Sequence, residues 1–486
     1  MAVRVDLRKS VDGLYAIACH ELGQNTYESN CGQMNTKSEG FYLSLFFDYL
    51  NRDDVRYCVM NNYHGLPDII PSDVDIAITP DAFAKLDDIV RGFSDASGLP
   101  VVQKIWHGNN KCAYILSPLS VTSWFRLQLD FFVDFSAKGY YRLIPSQLMI
   151  ADARRMKNFF IPPPEIELPF LVMRRIVKGD VNAEKLKEIR ELSERSDGTL
   201  NKVADAFPRA IQSLVSEFVG AKAWESLRAN INQQRCILRA YSKQYTPIAY
   251  RLRHAANNAL RIAHRVRHPV GISLCVLGSD GSGKSSLIES LPRVVGGAFH
   301  GYQRFYSRPA LLPGWTLEQH RVATPSEGST VSPHVSPSYG TARSLVKLTY
   351  YFVEYLLGGI IAVVPAKLRK SLVVFDHYFY DFWIDPARHR CRAPRWLVAL
   401  YCRLLPIPDV VVVLLATPQV IVNRKREVSA EELSRQYEAL SGLVTICPRA
   451  AYIDANQNAE EVGMAVAEVV LSFCERKTRR AMECGS

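Results

Sequence analysis

The run Gly278-Ser279-Asp280-Gly281-Ser282-Gly283-Lys284-Ser285 constrains this chain more than any other stretch, because it fits G-x-x-x-x-G-K-[ST] without a mismatch. A short apolar run, 272–277, leads into it, and a helical run leads out from Ser285 towards Leu291. The glycines let backbone N–H groups turn inward, and the helix start adds positive partial charge, so the loop is a cradle for phosphates. Lys284 would reach the β- and γ-phosphates of a nucleoside triphosphate such as ATP, and the Ser285 hydroxyl would ligate magnesium. Gly278, Ser279, Asp280, Gly281, Ser282, Gly283 and Ser286 complete the set expected around the nucleotide. The plainer alternative is a glycine turn that holds nothing.

A phosphate cradle of this kind also needs a carboxylate at the end of a nearby strand. Leu372-Val373-Val374-Phe375-Asp376 supplies one, although Asp376 could instead merely cap the next turn. The β-branched run in DVVVVLLA suits a parallel sheet covered on both faces. From about residue 269 the expectation is therefore an α/β P-loop NTPase domain, 269–473, with a parallel sheet and helices on both faces. ATPSEGSTVSPHVSPSYGTARS, rich in Ser, Pro and Gly, reads as a loop. Leu345 to Pro365 is apolar enough to suggest a membrane span. Lys347 and Glu354 lie inside it and Pro365 stands next to the Asp376 strand, so a buried or half-buried helix is expected.

The residues GSDGSGKSS, the DHYFYD run from Asp376 to Asp381, and PDVVVVLLATP followed by Arg424-Lys425-Arg426 together resemble thymidylate kinases and their relatives. The resemblance covers about 271–472 and implies an ATP- and magnesium-dependent kinase. It implies that Asp280 faces the acceptor, that Asp376 holds the metal, and that lid arginines Arg424 and Arg426 offset charge on the transferred phosphoryl group. Two positions depart from the pattern: His377 stands where an arginine is usual, and Ala416 where an aspartate is usual before the Thr417-Pro418 turn. DHYFYDFWIDPARHR and RKREVSAEELSRQ are similar to a divergent thymidylate-kinase-like branch associated with bacterial surface-polysaccharide biosynthesis. That likeness implies a nucleotide, sugar-phosphate or glycan acceptor, with Arg308, His377, Tyr378, Arg388 and Arg390 as its binding residues. Each arginine could equally be a solvated surface residue.

The first part of the chain carries a second carboxylate signal. Residues 1–38 show no clear periodicity and read as an extension. From 39 to 160, FYLSLFFDYL and PDAFAKLDDIVRGF read as helices. VRYCVMNN, SDVDIAIT, VVQKIW, CAYILS and FRLQLDFFVDF read as strands, giving an α+β unit. Asp73 and Asp75, at i and i+2, project from one face of a strand. Asp130 sits on another strand, and three such carboxylates can hold two magnesium ions. The pattern resembles the nucleotidyltransferase fold, in which Gly-Ser precedes Asp-x-Asp. Gly65 is in place, but Leu66 replaces the serine. The domain either transfers nucleotides or keeps the fold as a binding scaffold.

Residues 161–268 lack strand alternation and read as a helical connecting region. Its end, Tyr250 to His268, is dense in Arg and His. It could lie on phosphates or on a membrane surface, or be a solvated linker. Residues 474–486 read as a basic tail. The formal net charge of +11 over 486 residues suits an anionic partner without choosing one. No nucleic-acid reading module is visible, so no specific nucleic acid is expected. Eleven cysteines without a C-x-x-C pair suit reduced thiols. The start of the chain lacks the apolar core of a signal peptide. A cytoplasmic protein is expected, with peripheral contact at the inner membrane face and homodimerisation both compatible. Three functions stay open: a kinase, a nucleotidyltransferase regulated by the P-loop domain, and a non-catalytic nucleotide-dependent switch.

Overall fold

The computed structural model describes residues 38–70, 72–108, 110–119, 125–137, 139–195, 199–312, 339–424 and 430–483. They form two compact units. The N-terminal unit takes in Thr36–Pro118, Phe125–His264 and Glu475–Ser486, and the C-terminal unit is built mainly from Arg265–Cys474.

In the N-terminal unit, strands β1 (Tyr57–Val59), β2 (Asp73–Ile78), β3 (Val101–Gly108), β4 (Lys111–Leu116) and β5 (Leu127–Phe132) form a mixed sheet in the order β1-β2-β5-β4-β3. Only β2 and β5 run parallel. Two short antiparallel pairs follow, β6 (Asp134–Phe135) with β7 (Ile144–Pro145) and β8 (Arg154–Met156) with β9 (Phe159–Ile161). Strand alternation sends Val74, Ile76 and Ile78 to one face, where Leu43, Phe46, Phe47 and Leu50 of helix Glu39–Arg52 meet them. That helix opens on Ser38, whose hydroxyl accepts from the Phe41 amide at 3.2 Å. The opposite face carries Asp73, Asp75 and Ala77, and Ala77 packs into a second core with helix Pro164–Lys178. Helix residues from Ile166 to Leu238 thus share a core with Cys58 and Ala77 of this sheet. The last turns of helix Ala459–Glu483 also belong to the unit, where Thr478 donates to the Val102 carbonyl at 3.0 Å and Met482 joins the core.

Glu167, buried in helix Pro164–Lys178, accepts from the Tyr63 hydroxyl and pairs with Arg154 at 2.7 Å. Burial lifts its carboxyl from 4.5 to about 7, against the lowering effects of Tyr63 and Arg154. A carboxyl raised in the folded state contributes stability that is complete below pH 4.5 and is lost as pH rises through about 7. Glu167→Gln is therefore expected to flatten the pH dependence of urea unfolding across that window. An unchanged slope would show that Glu167 stays ionised beside Arg154.

In the C-terminal unit, β10 (Ile272–Gly278), β11 (Gly301–Tyr306), β12 (Ser371–Asp376), β13 (Val410–Leu415) and β14 (Ala450–Asp454) form an all-parallel sheet in the order β11-β12-β10-β13-β14. All six residues of β13 are buried, as a strand covered on both faces requires. Cys275, Leu277, Val373, Phe375, Val411 and Val413 share a core with Leu348, Tyr351 and Tyr355 of helix Thr341–Gly358. Helix Lys284–Val295 packs against β10 and β12. Thr341–Leu368 is, among the described residues, a helix long and apolar enough to cross a membrane by length and composition. One side of it is in the core, where Glu354 is fully buried, and Val346, Val353 and Ile360 are exposed.

Candidate functional site

Parallel strands bring their C-terminal ends to one edge, where ligands of open α/β sheets bind. β10 ends there at Gly278. A Cβ at this position would lie 2.9 Å from the Leu414 carbonyl oxygen and 2.6 Å from Ser282 Oγ, so β13 packs too close for a side chain. Gly281 and Gly283 have φ of 89° and 95°, which only glycine adopts without strain. Ser282 is buried, and its Oγ has no hydrogen-bond partner among the described residues. A phosphate oxygen would satisfy an orphaned hydroxyl inside a loop of this sequence, so the residues fit the group. Gly278→Ala should weaken binding of a non-hydrolysable ATP analogue by about tenfold or more in calorimetry, with the protein still folded by circular dichroism. Unchanged affinity would show that the loop does not hold the nucleotide.

Lys284 opens the helix and is buried, donating to the carbonyls of Gly278 at 2.8 Å and Ser279 at 2.9 Å. Burial lowers its pKa, against the raising effect of Asp280 3.6 Å away. Ser285 and Ser286 are exposed at the helix start. Asp280 is gripped by Arg388, whose Nη1 lies 3.1 Å from both carboxylate oxygens. Burial would raise the Asp280 carboxyl, but Lys284 and Arg388 prevail and hold it below its ordinary value.

Asp376 ends β12 and pairs in register with Val276 of β10, at the level where the loop begins. It is buried, and Arg304 of β11 donates to its Oδ2 at 2.5 Å, leaving Oδ1 without a partner among the described residues. A buried carboxylate with a spare oxygen at this edge suits a magnesium ligand, with Ser285 as the second protein donor. His377 follows at a φ of 74°, and its Nδ1 lies 2.7 Å from the Asp381 carboxylate. Burial would raise the Asp381 carboxyl, yet facing His377 holds it down.

Other nominated residues are placed differently. Arg308 is turned into the core, with Nη1 2.5 Å from both oxygens of Glu354. Tyr378 is buried and donates to the Pro406 carbonyl at 2.6 Å. Arg390 lies 4.3 Å over the Tyr339 ring. Arg424 donates to the Ala455 carbonyl at 3.0 Å, and Arg426 lies outside the described residues. Three participants escaped the sequence reading: Arg304, Asp385 and Arg435. Asp385 accepts from the Arg388 amide at 3.0 Å and pairs with Arg435 at 3.1 Å, so the loop carrying Arg388 is tied to helix Ala430–Ser441. The acidic positions of DFWIDP and the arginine in AEELSRQ were the available signal.

The N-terminal unit gathers Asp73, Asp75 and Asp130, whose carboxylate atoms lie within 4.8 Å of one another. Parallel pairing of β2 with β5 sets Asp75 opposite Asp130. Arg174 pairs with Asp75 at 3.2 Å, Asn61 donates to it at 2.9 Å, and Lys111 pairs with Asp130 at 2.7 Å. Burial raises the Asp75 carboxyl even against Arg174, so the cluster would welcome further positive charge. The cluster's chemistry fits a divalent cation, although two cationic side chains already supply part of that charge. Leu66, at the position where the nucleotidyltransferase pattern has a serine, is a core residue.

No family model matches the chain, and no curated protein matches it. Among solved structures it is similar to the crystal structure of thymidylate kinase from Ehrlichia chaffeensis, at 15% identity and a TM-score of 0.28, over 41% of this chain and 98% of that one. A likeness so slight bears no weight, and the residues themselves must carry the functional argument.

Proposed function

We propose that the C-terminal unit is an ATP- and magnesium-dependent phosphotransferase of the thymidylate-kinase-like class. The observation that carries this is one carboxylate, Asp280, which joins the phosphate lysine Lys284 on one side to the guanidinium of Arg388 on the other. A loop that only held a nucleotide would not need a second anion-binding group tied into it. Arg388 would bind the anionic end of an acceptor, since a planar guanidinium suits phosphate or carboxylate. Asp280 would orient the acceptor group. Lys284 would leave the carbonyls of Gly278 and Ser279 for the phosphates. His377 and Asp381, paired below, would keep the strand end in place. Magnesium, held by Ser285 and Asp376, would neutralise phosphate charge and polarise the transferred group. On sequence resemblance alone, Arg424 and Arg426 would offset charge on the transferred group. The acceptor class, a nucleotide, sugar phosphate or glycan of surface-polysaccharide assembly, follows from sequence resemblance alone.

A second reading is nucleotidyl transfer in the N-terminal unit, favoured by the convergence of Asp73, Asp75 and Asp130. The two are separated by the product released. Purified protein with ATP and magnesium would be offered nucleoside monophosphates, sugar phosphates and lipid-linked glycans, beside Lys284→Ala and Asp73→Ala. ADP release that needs an acceptor and Lys284 supports the kinase. Pyrophosphate release that needs Asp73 moves the chemistry to the N-terminal unit. Nucleotide binding with neither product would make the chain a switch or binding module.

A further inference from the structure

A helix on the surface of a soluble protein ordinarily turns its apolar stripe to the core and its charges to water. Helix Ile248–Arg267 does the reverse. Its polar side makes the attachments to the N-terminal unit. The Tyr250 hydroxyl donates to Asp134 at 2.9 Å, and the Arg251 guanidinium lies 5.9 Å over Tyr141. The His254 ring meets Tyr141 edge-on at 6.0 Å, and His264 meets Trp106 at 5.4 Å. With about 3.6 residues per turn, these positions share one side with half-buried Asn257 and Arg261. The opposite side carries Ile248, Leu252, Ala255, Ala259, Ile262 and Val266, at alternating spacings of four and three. Their large members are strongly exposed: Ile248 at 67%, Leu252 at 68%, Ile262 at 54% and Val266 at 57%. The helix holds five arginines and no carboxylate.

We propose that this helix is an interfacial anchor that lies flat on an anionic lipid bilayer. An exposed apolar stripe along a helix of about 30 Å, with arginines beside it, is the pattern that seats a helix at the headgroup boundary. The stripe enters the upper acyl region, and exposed Arg253 and Arg267 meet lipid phosphates. The same four-three spacing would suit a coiled-coil seam with a second copy. That partner would bring a second set of exposed arginines, Arg253 and Arg267, to the same surface, with no carboxylate in the helix to relieve them. A negatively charged lipid surface satisfies both faces at once.

The test is flotation of the full-length protein with phosphatidylcholine vesicles, with and without about 30% phosphatidylglycerol, at low and high salt. Wild type should float with the anionic vesicles and much less with the neutral ones. Leu252→Glu with Ile262→Glu, both at exposed positions, should lower the bound fraction by at least about tenfold with circular dichroism unchanged. Arg253→Gln with Arg267→Gln should weaken binding and flatten its salt dependence. Lys284→Ala should bind as wild type, because anchoring does not need turnover. The proposal is overturned if wild type ignores anionic vesicles or if the Leu252/Ile262 variant floats equally well. It is also overturned if sedimentation without lipid shows a dimer that this variant dissolves, which would assign the stripe to a second copy.

Discussion

If the chain is the proposed phosphotransferase, replacing Lys284 with alanine is expected to lower acceptor-dependent ADP release by roughly a thousandfold, with little change in acceptor KM. The lysine is buried and rests on the carbonyls of Gly278 and Ser279, so the ammonium is held inside the cradle before any phosphate arrives. Without it, charge building on the transferred group would lose its nearest neutralising partner. The effect therefore falls on kcat. Lys284→Arg is also expected to be poor, because a planar fork cannot make the same two contacts from the same backbone position. Loss of the lysine leaves two carbonyls short of a donor, which costs on the order of 1–3 kcal/mol. The variant should therefore be compared by urea unfolding before its rate is interpreted. A folded Lys284→Ala protein that keeps its rate within tenfold would remove the kinase proposal. Pyrophosphate release from Asp73 chemistry would then become the reaction to pursue.

What could be seen in advance follows from periodicity and fixed spacing. β10, β12 and β13 announce themselves as apolar, β-branched runs, because strands covered on both faces must be apolar throughout. The loop after β10 is readable because phosphate binding fixes its residue types one by one. β11, GYQRFY, is an edge strand in which most side chains are exposed, so it has no apolar signature. With β11 went Arg304, the residue that grips Asp376. The i, i+2 spacing put Asp73 and Asp75 on one face. Nothing in the sequence shows that Lys111, from the next hairpin, and Arg174, from a later helix, come to rest on that cluster. In the basic helix the density of Arg and His was visible, but not that Arg251 and Arg261 lie on the packed side while the apolar stripe faces out. Long-range ion pairs leave no local trace, and Arg308 is the clearest case.

Arg308→Ala is expected to destabilise the protein by about 3–5 kcal/mol, because it strands the fully buried carboxylate of Glu354. The guanidinium also bonds the Leu312 carbonyl at 3.0 Å and lies 5.7 Å over the Tyr351 ring, so the truncation breaks a network rather than one contact. Removing both partners is a different experiment. Arg308→Met with Glu354→Leu leaves no uncompensated charge and should recover most of the loss, since apolar replacements of a buried pair are often neutral or better. Arg388 supplies the contrast. Its pair with Asp280 is partly exposed, at 27% and 32% for the two side chains, so Arg388→Ala should change stability by only about 1 kcal/mol. It should instead raise the acceptor KM by tenfold or more, on the order of one good charged hydrogen bond. Urea midpoints and acceptor kinetics of the two alanine variants therefore move in opposite columns. An Arg308→Ala protein of unchanged stability and raised acceptor KM would return Arg308 to the acceptor site and imply that its bond to Glu354 opens in the working enzyme.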